Sequence, residues 1–333
     1  MSKIRIGVVG PGLIWARSHK PELDRLREHV VVTAFSASSE KTRRQVEQSH
    51  PGVPFYPDYH ELVASPEVDW VLVLTPIALN APVATAALQA GKDVFLEKPM
   101  ARTAAEGEGL VRLANETRRR LYVLEQAVYP GYLDTVEEII RSGEIGEVLM
   151  YDVVAHEFFD ATPAHSVGGY GATDWRIHPD FPLGPLFDGG HHPIARISRL
   201  FGRPAAVHAS GRQTRSTYGE FDHVLVLFTY DGGIRGSFSH STVLSERRNY
   251  FHIRGTRGIL SIEKTQIVID HNDGDRRTID LPQETAHEAM WRALVGAIAE
   301  GRDPYYTKER AFQDLSILFA IERSTRKDAG VTI

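Results

Sequence analysis

The chain has no cysteine, which excludes disulfides, thiolate nucleophiles and zinc–thiolate centres together. No apolar run reaches the ~18–20 residues of a membrane-spanning helix. The opening Met1-Ser2-Lys3 leads into a strand-like segment with no secretory core and cleavage site. Excess positive charge is lacking too: 38 Lys and Arg stand against 43 Asp and Glu, a net charge of −5. The densest basic runs, residues 118–120 and Arg247-Arg248, read as solvated surface, so no nucleic-acid partner is expected. Internal repeats and low-complexity tracts are absent. What remains is an ordinary globular composition, 42% hydrophobic and 24% charged, over 333 residues that suit two domains. A cytoplasmic enzyme with no membrane partner is the expectation.

Residues 1–125 carry short apolar runs at 4–9, 30–35, 70–74, 94–96 and 121–124. Between them lie stretches with helical spacing, such as Val83, Ala86, Ala87 and Ala90, or residues 105–119. Apolar strands alternating with helices predict an α/β, doubly wound parallel sheet of Rossmann type, with ligands at the carboxyl ends of its strands. Residues 126–333 differ. A helix at 132–141, a strand at 147–156 and a helix at 186–200 precede strand-like segments at 206–212, 222–230, 234–242, 250–254, 259–263 and 267–270. Helices at 284–300 and 308–325 close the chain. Successive strands without intervening helices predict an α+β domain with a largely antiparallel sheet.

Gly10-Pro11-Gly12 ends the first run and opens a helix. Gly10 would allow a tight turn, and Gly12 would let backbone approach a pyrophosphate at the helix N-terminus. The third glycine of the fingerprint is missing; Trp15 or Ala16 takes its place, and an ordinary strand-to-helix turn reads the same way. After the second run, Phe35-Ser36-Ala37-Ser38-Ser39 offers no carboxylate for a ribose 2′-hydroxyl before Glu40. Ser36, Ser38 and Lys41, with Arg43 and Arg44 behind them, suit a 2′-phosphate and favour NADP over NAD. Ser38 or Ser39 acting as a helix cap fits these letters equally well.

Glu97-Lys98-Pro99 ends another strand-like run, at the edge where ligands bind in this architecture. A lysine there can polarise a carbonyl or move a proton, although most lysines are simply exposed. Further on, Asp188 and His192 stand four apart, on one face of a helix if residues 186–200 form one. The carboxylate would fix the imidazole tautomer and stabilise its charged form; a purely structural pair is the alternative. The histidines His156, His165, His178, His191 and His192 lack the His-Glu-x-x-His spacing, and no functional metal is expected.

The Gly10–Gly12 loop, Thr75-Pro76, the stretch from Gly91-Lys92 to Pro99, Asp188 with His192, Gly143 to Val148, Gly255 to Gly258 and the final helices resemble the Gfo/Idh/MocA oxidoreductases. That is the family of glucose-fructose oxidoreductase and inositol dehydrogenase, and the resemblance covers essentially the whole chain. It implies a Rossmann domain over residues 1–125, and an open, mostly antiparallel sheet domain over 126–333 for substrate binding and oligomerisation. It further implies NADP or NAD as cofactor, a sugar, inositol or related polyol as substrate, and a homodimer or homotetramer. Lys98, Asp188 and His192 match the catalytic trio: Lys98 holding the substrate oxygen, His192 exchanging the hydroxyl proton, Asp188 orienting the imidazole. Leu13, Ile14, Thr75, Pro76, Asn80, Glu97, Lys98, Trp175 and Arg176 would join the cofactor site. Gln126, Tyr129, Arg176 and His191 would touch substrate, although Trp175 as plain core, Arg176 as a surface ion pair and His191 as a satisfied helix-start histidine remain open. Ile77 and Asn80 depart from the asparagine and histidine often seen at those places, which puts the substrate in doubt. Two other functions stay open: a non-redox sugar enzyme, glycosidase or dehydratase, that uses bound NAD transiently, and a non-catalytic dinucleotide sensor.

Overall fold

A computed structural model describes residues 3–160, 167–244 and 249–333, so Arg247, Arg248 and His165 lie outside the described residues. The chain divides into two units: Met1–Tyr129 with Thr285–Leu315, and Pro130–Glu284 with Ser316–Ile333.

The first unit holds β1 (Ile4–Val9), α1 (Lys20–Arg25), β2 (Val30–Ser36), α2 (Glu40–Ser49), β3 (Phe55–Tyr56), α3 (Tyr59–Ala64), β4 (Trp70–Val73), α4 (Ile77–Gln89), β5 (Asp93–Glu97), α5 (Ala104–Thr117) and β6 (Leu121–Leu124). Its six strands pair in parallel in the order β3-β2-β1-β4-β5-β6. Every residue of β4 and β6 is buried, as a sheet covered on both faces requires. β3 has two residues, too short to leave a periodic signal.

The sequence boundary at 125 misses a return of the chain. Residues 286–300, read as part of the second domain, form a helix whose Met290, Trp291 and Leu294 pack into the first core with Ile6, Val8, Phe35 and Phe95. Trp291 meets Phe95 edge-on at 5.0 Å, and Phe95 stacks on Trp70 at 4.2 Å. Burying these aromatic faces ties the helix to the dinucleotide-type sheet.

The second unit holds α6 (Tyr132–Ser142), β7 (Val148–His156), α7 (Asp174–Ile177), α8 (Pro185–Asp188), α9 (His191–Phe201) and then β8 (Ala206–Arg212), β9 (His223–Thr229), β10 (Arg235–Ser241), β11 (Asn249–Gly255), β12 (Gly258–Ile262), β13 (Gln266–His271) and β14 (Arg276–Asp280). The last two helices are α10 (Ala286–Glu300), just placed in the first unit, and α11 (Lys308–Lys327), and β15 (Val331–Thr332) ends the chain. Nine strands pair in the order β14-β13-β12-β11-β7-β10-β9-β8-β15, antiparallel except where β10 meets β7. The helix expected over 186–200 is interrupted: Gly189 and Gly190 separate α8 from α9. β14 escaped notice because Arg276, Arg277 and Thr278 are exposed and show no alternation. Within this core Tyr151 stacks on Phe201 at 4.4 Å, and its hydroxyl lies 2.9 Å from that of Tyr230. Among the described residues no helix is long and apolar enough to cross a membrane.

Candidate active site

The loop after β1 has the shape expected of it. Gly10 sits at φ +79°, and a Cβ there would lie 2.9 Å from the Leu74 carbonyl oxygen. Only glycine fits such a turn. Over Gly12 a Cβ would meet nothing closer than the Gly10 carbonyl at 3.9 Å, which leaves the backbone open to an approaching pyrophosphate. The helix begins at Leu13, so its first amides face that space. These residues fit a dinucleotide. Leu13 is exposed and Ile14 half-buried beside it.

Trp15, in the place of the third glycine, is buried against Phe35 at 5.6 Å. The helix accommodates it by widening: Trp15–His19 is a π turn, closed by the Lys20 amide donating to the Trp15 carbonyl. A π turn carries an extra residue and re-aims the side chains that follow it.

At the end of β2, Ser36 is 2% exposed, and its carbonyl accepts the Gly10 amide at 2.9 Å. Ser39, not Ser38, caps α2 by accepting the Thr42 amide. Ser38 and Lys41 are exposed, while Arg43 pairs with Glu47 and Arg44 with Glu40 along the same helix.

Lys98 follows β5 inside a hydrogen-bonded cage. The Lys98 amide donates to Glu97 Oε2 at 3.0 Å. Asn80, 1% exposed, donates to the Glu97 carbonyl at 3.1 Å and the Pro99 carbonyl at 2.9 Å, and accepts from the Thr75 hydroxyl at 2.9 Å. Asn80 therefore serves the Lys98 turn from within, where a direct cofactor contact had been expected. Glu97 is buried as well, with Oε1 2.8 Å from His19 Nε2. Burial pushes its carboxyl upward, but the hydrogen bond from His19 and the nearby charge of Lys98 outweigh this and hold it below the usual range. Pro76 is exposed at the start of α4, and Gln126 half-buried after β6. Tyr129 packs against the core with its hydroxyl buried, its pKa pushed up by that burial.

In the second unit, Asp188 is 6% exposed and accepts a 2.6 Å hydrogen bond from Arg176 Nε. Arg176 is sandwiched by its neighbours, lying 3.9 Å over the Trp175 ring and 5.3 Å over Tyr170. Its guanidinium thus forms an ion pair with Asp188 and also donates to the Thr173 hydroxyl. His192 is half-buried in the first turn of α9. His191 is 0% exposed, within the packing of this unit. Sequence reasoning missed His240 of β10. Its Nε2 lies 4.0 Å from where a Cβ on Gly189 would stand, and it is 6% exposed. Burial lowers its pKa to about 3, helped by His156 and His223 and opposed by Asp188.

Residues 4–125 match the oxidoreductase family with an NAD-binding Rossmann fold, and residues 133–261 match the GFO/IDH/MocA C-terminal domain. The chain belongs to the GFO/IDH/MocA oxidoreductase family. Among its relatives, trans-1,2-dihydrobenzene-1,2-diol dehydrogenase of Mus musculus is 31% identical over 84% of this chain and 80% of that enzyme. Scyllo-inositol 2-dehydrogenase (NADP(+)) IolW of Bacillus subtilis (strain 168) is 29% identical over 68% of this chain, a match spanning 60% of that enzyme's own length. Among solved structures, an oxidoreductase from Thermotoga maritima superposes with a TM-score of 0.91 at 26% identity, covering 99% of this chain and 98% of that one. A levoglucosan dehydrogenase, solved with NADH and levoglucosan, shares the fold with a TM-score of 0.87 at 20% identity over the full length of both chains.

Proposed function

We propose that the chain is a cytoplasmic NAD(P)-dependent dehydrogenase, or reductase in the reverse direction, acting on a CH–OH group of a sugar, inositol or related polyol. The observation that carries this reading is the caged Lys98, set at the carboxyl edge of the sheet whose β1 loop stands open for a dinucleotide. Relatives named for inositol and diol dehydrogenation, and a fold neighbour holding levoglucosan, support the hydroxyl-rich substrate class.

The bound nicotinamide would supply the hydride chemistry. Lys98 would hold the substrate oxygen and stabilise its developing negative charge. His192 would exchange the hydroxyl proton as general base or acid. Asp188, with Arg176 on one oxygen, would orient this half of the site. An intact trio disfavours the dinucleotide-sensor reading, since a sensor has no use for it. Lys98→Ala and His192→Ala should each lower kcat with a responsive polyol by ~10²–10⁴-fold, with cofactor affinity nearly unchanged. Unchanged kcat in both variants would remove the assignment.

Exposed Ser38 and Lys41, with no carboxylate ahead of Glu40, favour NADP. In titrations by fluorescence, Lys41→Glu should raise the Kd for NADP about tenfold, ~1.4 kcal/mol, and leave that for NAD within about twofold. Equal shifts for the two would place the 2′-phosphate elsewhere. The outer face of the second sheet, with Leu225 52% and Leu227 58% exposed beside Met150 and Tyr250, is the surface we assign to a second copy in a homodimer or homotetramer.

A further inference from the structure

His19 is completely buried, carries chemistry, and has no part in the reaction outlined above. It ends the π turn, and both ring nitrogens are engaged. Trp291 Nε1 donates to His19 Nδ1 at 3.1 Å, and His19 Nε2 stands 2.8 Å from Glu97 Oε1. An indole N–H is only ever a donor. His19 Nδ1 must therefore keep its lone pair, so the proton sits on Nε2 and points at the Glu97 carboxylate. A doubly protonated ring would set two N–H groups against each other at Trp291.

The remaining Glu97 oxygen accepts the Lys98 amide at 3.0 Å. The carboxylate is thereby held at both ends, by an imidazole on one side and by the backbone of the residue it serves on the other. Asn80 grips the Glu97 and Pro99 carbonyls on either side of Lys98. We propose that Trp291 and His19 are positioning residues for Lys98, acting through Glu97 to fix the direction in which the lysine side chain leaves the sheet. This rests on the assignment of Lys98 given above. It also gives α10 a purpose: a helix from beyond the second sheet closes the first unit's reactive edge by donating one N–H.

The relay is neutral at His19, and a charge-assisted hydrogen bond of this kind holds its acceptor more tightly than a neutral pair. Removing it lets the Glu97 carboxylate turn, and a displacement of about 1 Å at a reacting group can cost ~10²-fold in rate. Glutamine can imitate the neutral ring, accepting from Trp291 and donating to Glu97; leucine can do neither.

The test uses the full chain without cofactor first. In ¹⁵N spectra of histidine-labelled protein, His19 should show a protonated Nε2 and a bare Nδ1. In Trp291→Phe, which keeps an aromatic ring and loses the donor, the Nδ1 resonance of His19 should shift as its hydrogen bond is lost. An imidazolium in the unaltered chain, or no change in Trp291→Phe, overturns the relay. With polyol and cofactor, His19→Leu should lower kcat by ~10–10²-fold while cofactor KM moves less than threefold, and His19→Gln should recover most of it. Should His19→Leu fail to fold, Trp291→Phe supplies the same split. If Lys98→Ala is inactive but His19→Leu is not impaired, the relay alone is wrong. If Lys98→Ala is fully active, the functional assignment itself fails.

Discussion

His240 shows how strongly one side chain can be shaped by its surroundings. It is buried on β10, with His156 and His223 lowering its pKa further and Asp188 opposing them, and its pKa falls to about 3. In the unfolded chain the same ring titrates near ~6.5. As pH drops below that value the unfolded chain takes the proton and the folded one does not, so His240 stabilises fully above ~6.5 and progressively less toward pH 3. The melting temperature of the protein should therefore decline more steeply between pH 7 and pH 5 than that of His240→Gln. Parallel declines would show that His240 is protonated in the fold. No spacing in the sequence marked this residue, because its importance comes from strand pairing between distant segments. Lys98, Asp188 and His192 could be proposed from the letters because they sit in compact motifs; His19 and Trp291, 272 positions apart, could not.

Among elements, β10 depends on a residue without a side chain. A Cβ on Gly236 would fall 2.1 Å from Tyr151 Cζ, and that ring is wedged between strand and helix by its stacking on Phe201. Tyr151 cannot swing aside without losing that contact and its bond to Tyr230. Gly236→Ala should therefore destabilise the fold by about 1–3 kcal/mol, visible in urea unfolding as a lower midpoint with an unchanged slope. An unchanged midpoint would mean the sheet yields more easily than its packing suggests. Strands with apolar alternation or continuous apolar runs were readable from the letters alone. β3, β14 and β15 were not, being two residues long or mostly polar and exposed. The break between α8 and α9 was written in Gly189-Gly190, but the apolar period running across it masked the signal.

At the scale of the whole molecule, family membership and both architectures follow from motifs spread along the chain, whereas the return of residues 285–315 to the first unit does not. A helix records which face it buries but not which sheet it will cover. Function at this scale reduces to whether a hydride leaves the polyol for good. An enzyme that used NAD only in passing would regenerate the cofactor and release an unoxidised product, so net transfer is the deciding quantity. The most direct measurement supplies a polyol deuterated at its carbinol carbons with oxidised NADP and follows the label by NMR. The account predicts deuterium at C4 of the reduced nicotinamide, in equal amount to a new ketone. Product formation with the label retained in the carbohydrate and no reduced cofactor would contradict it.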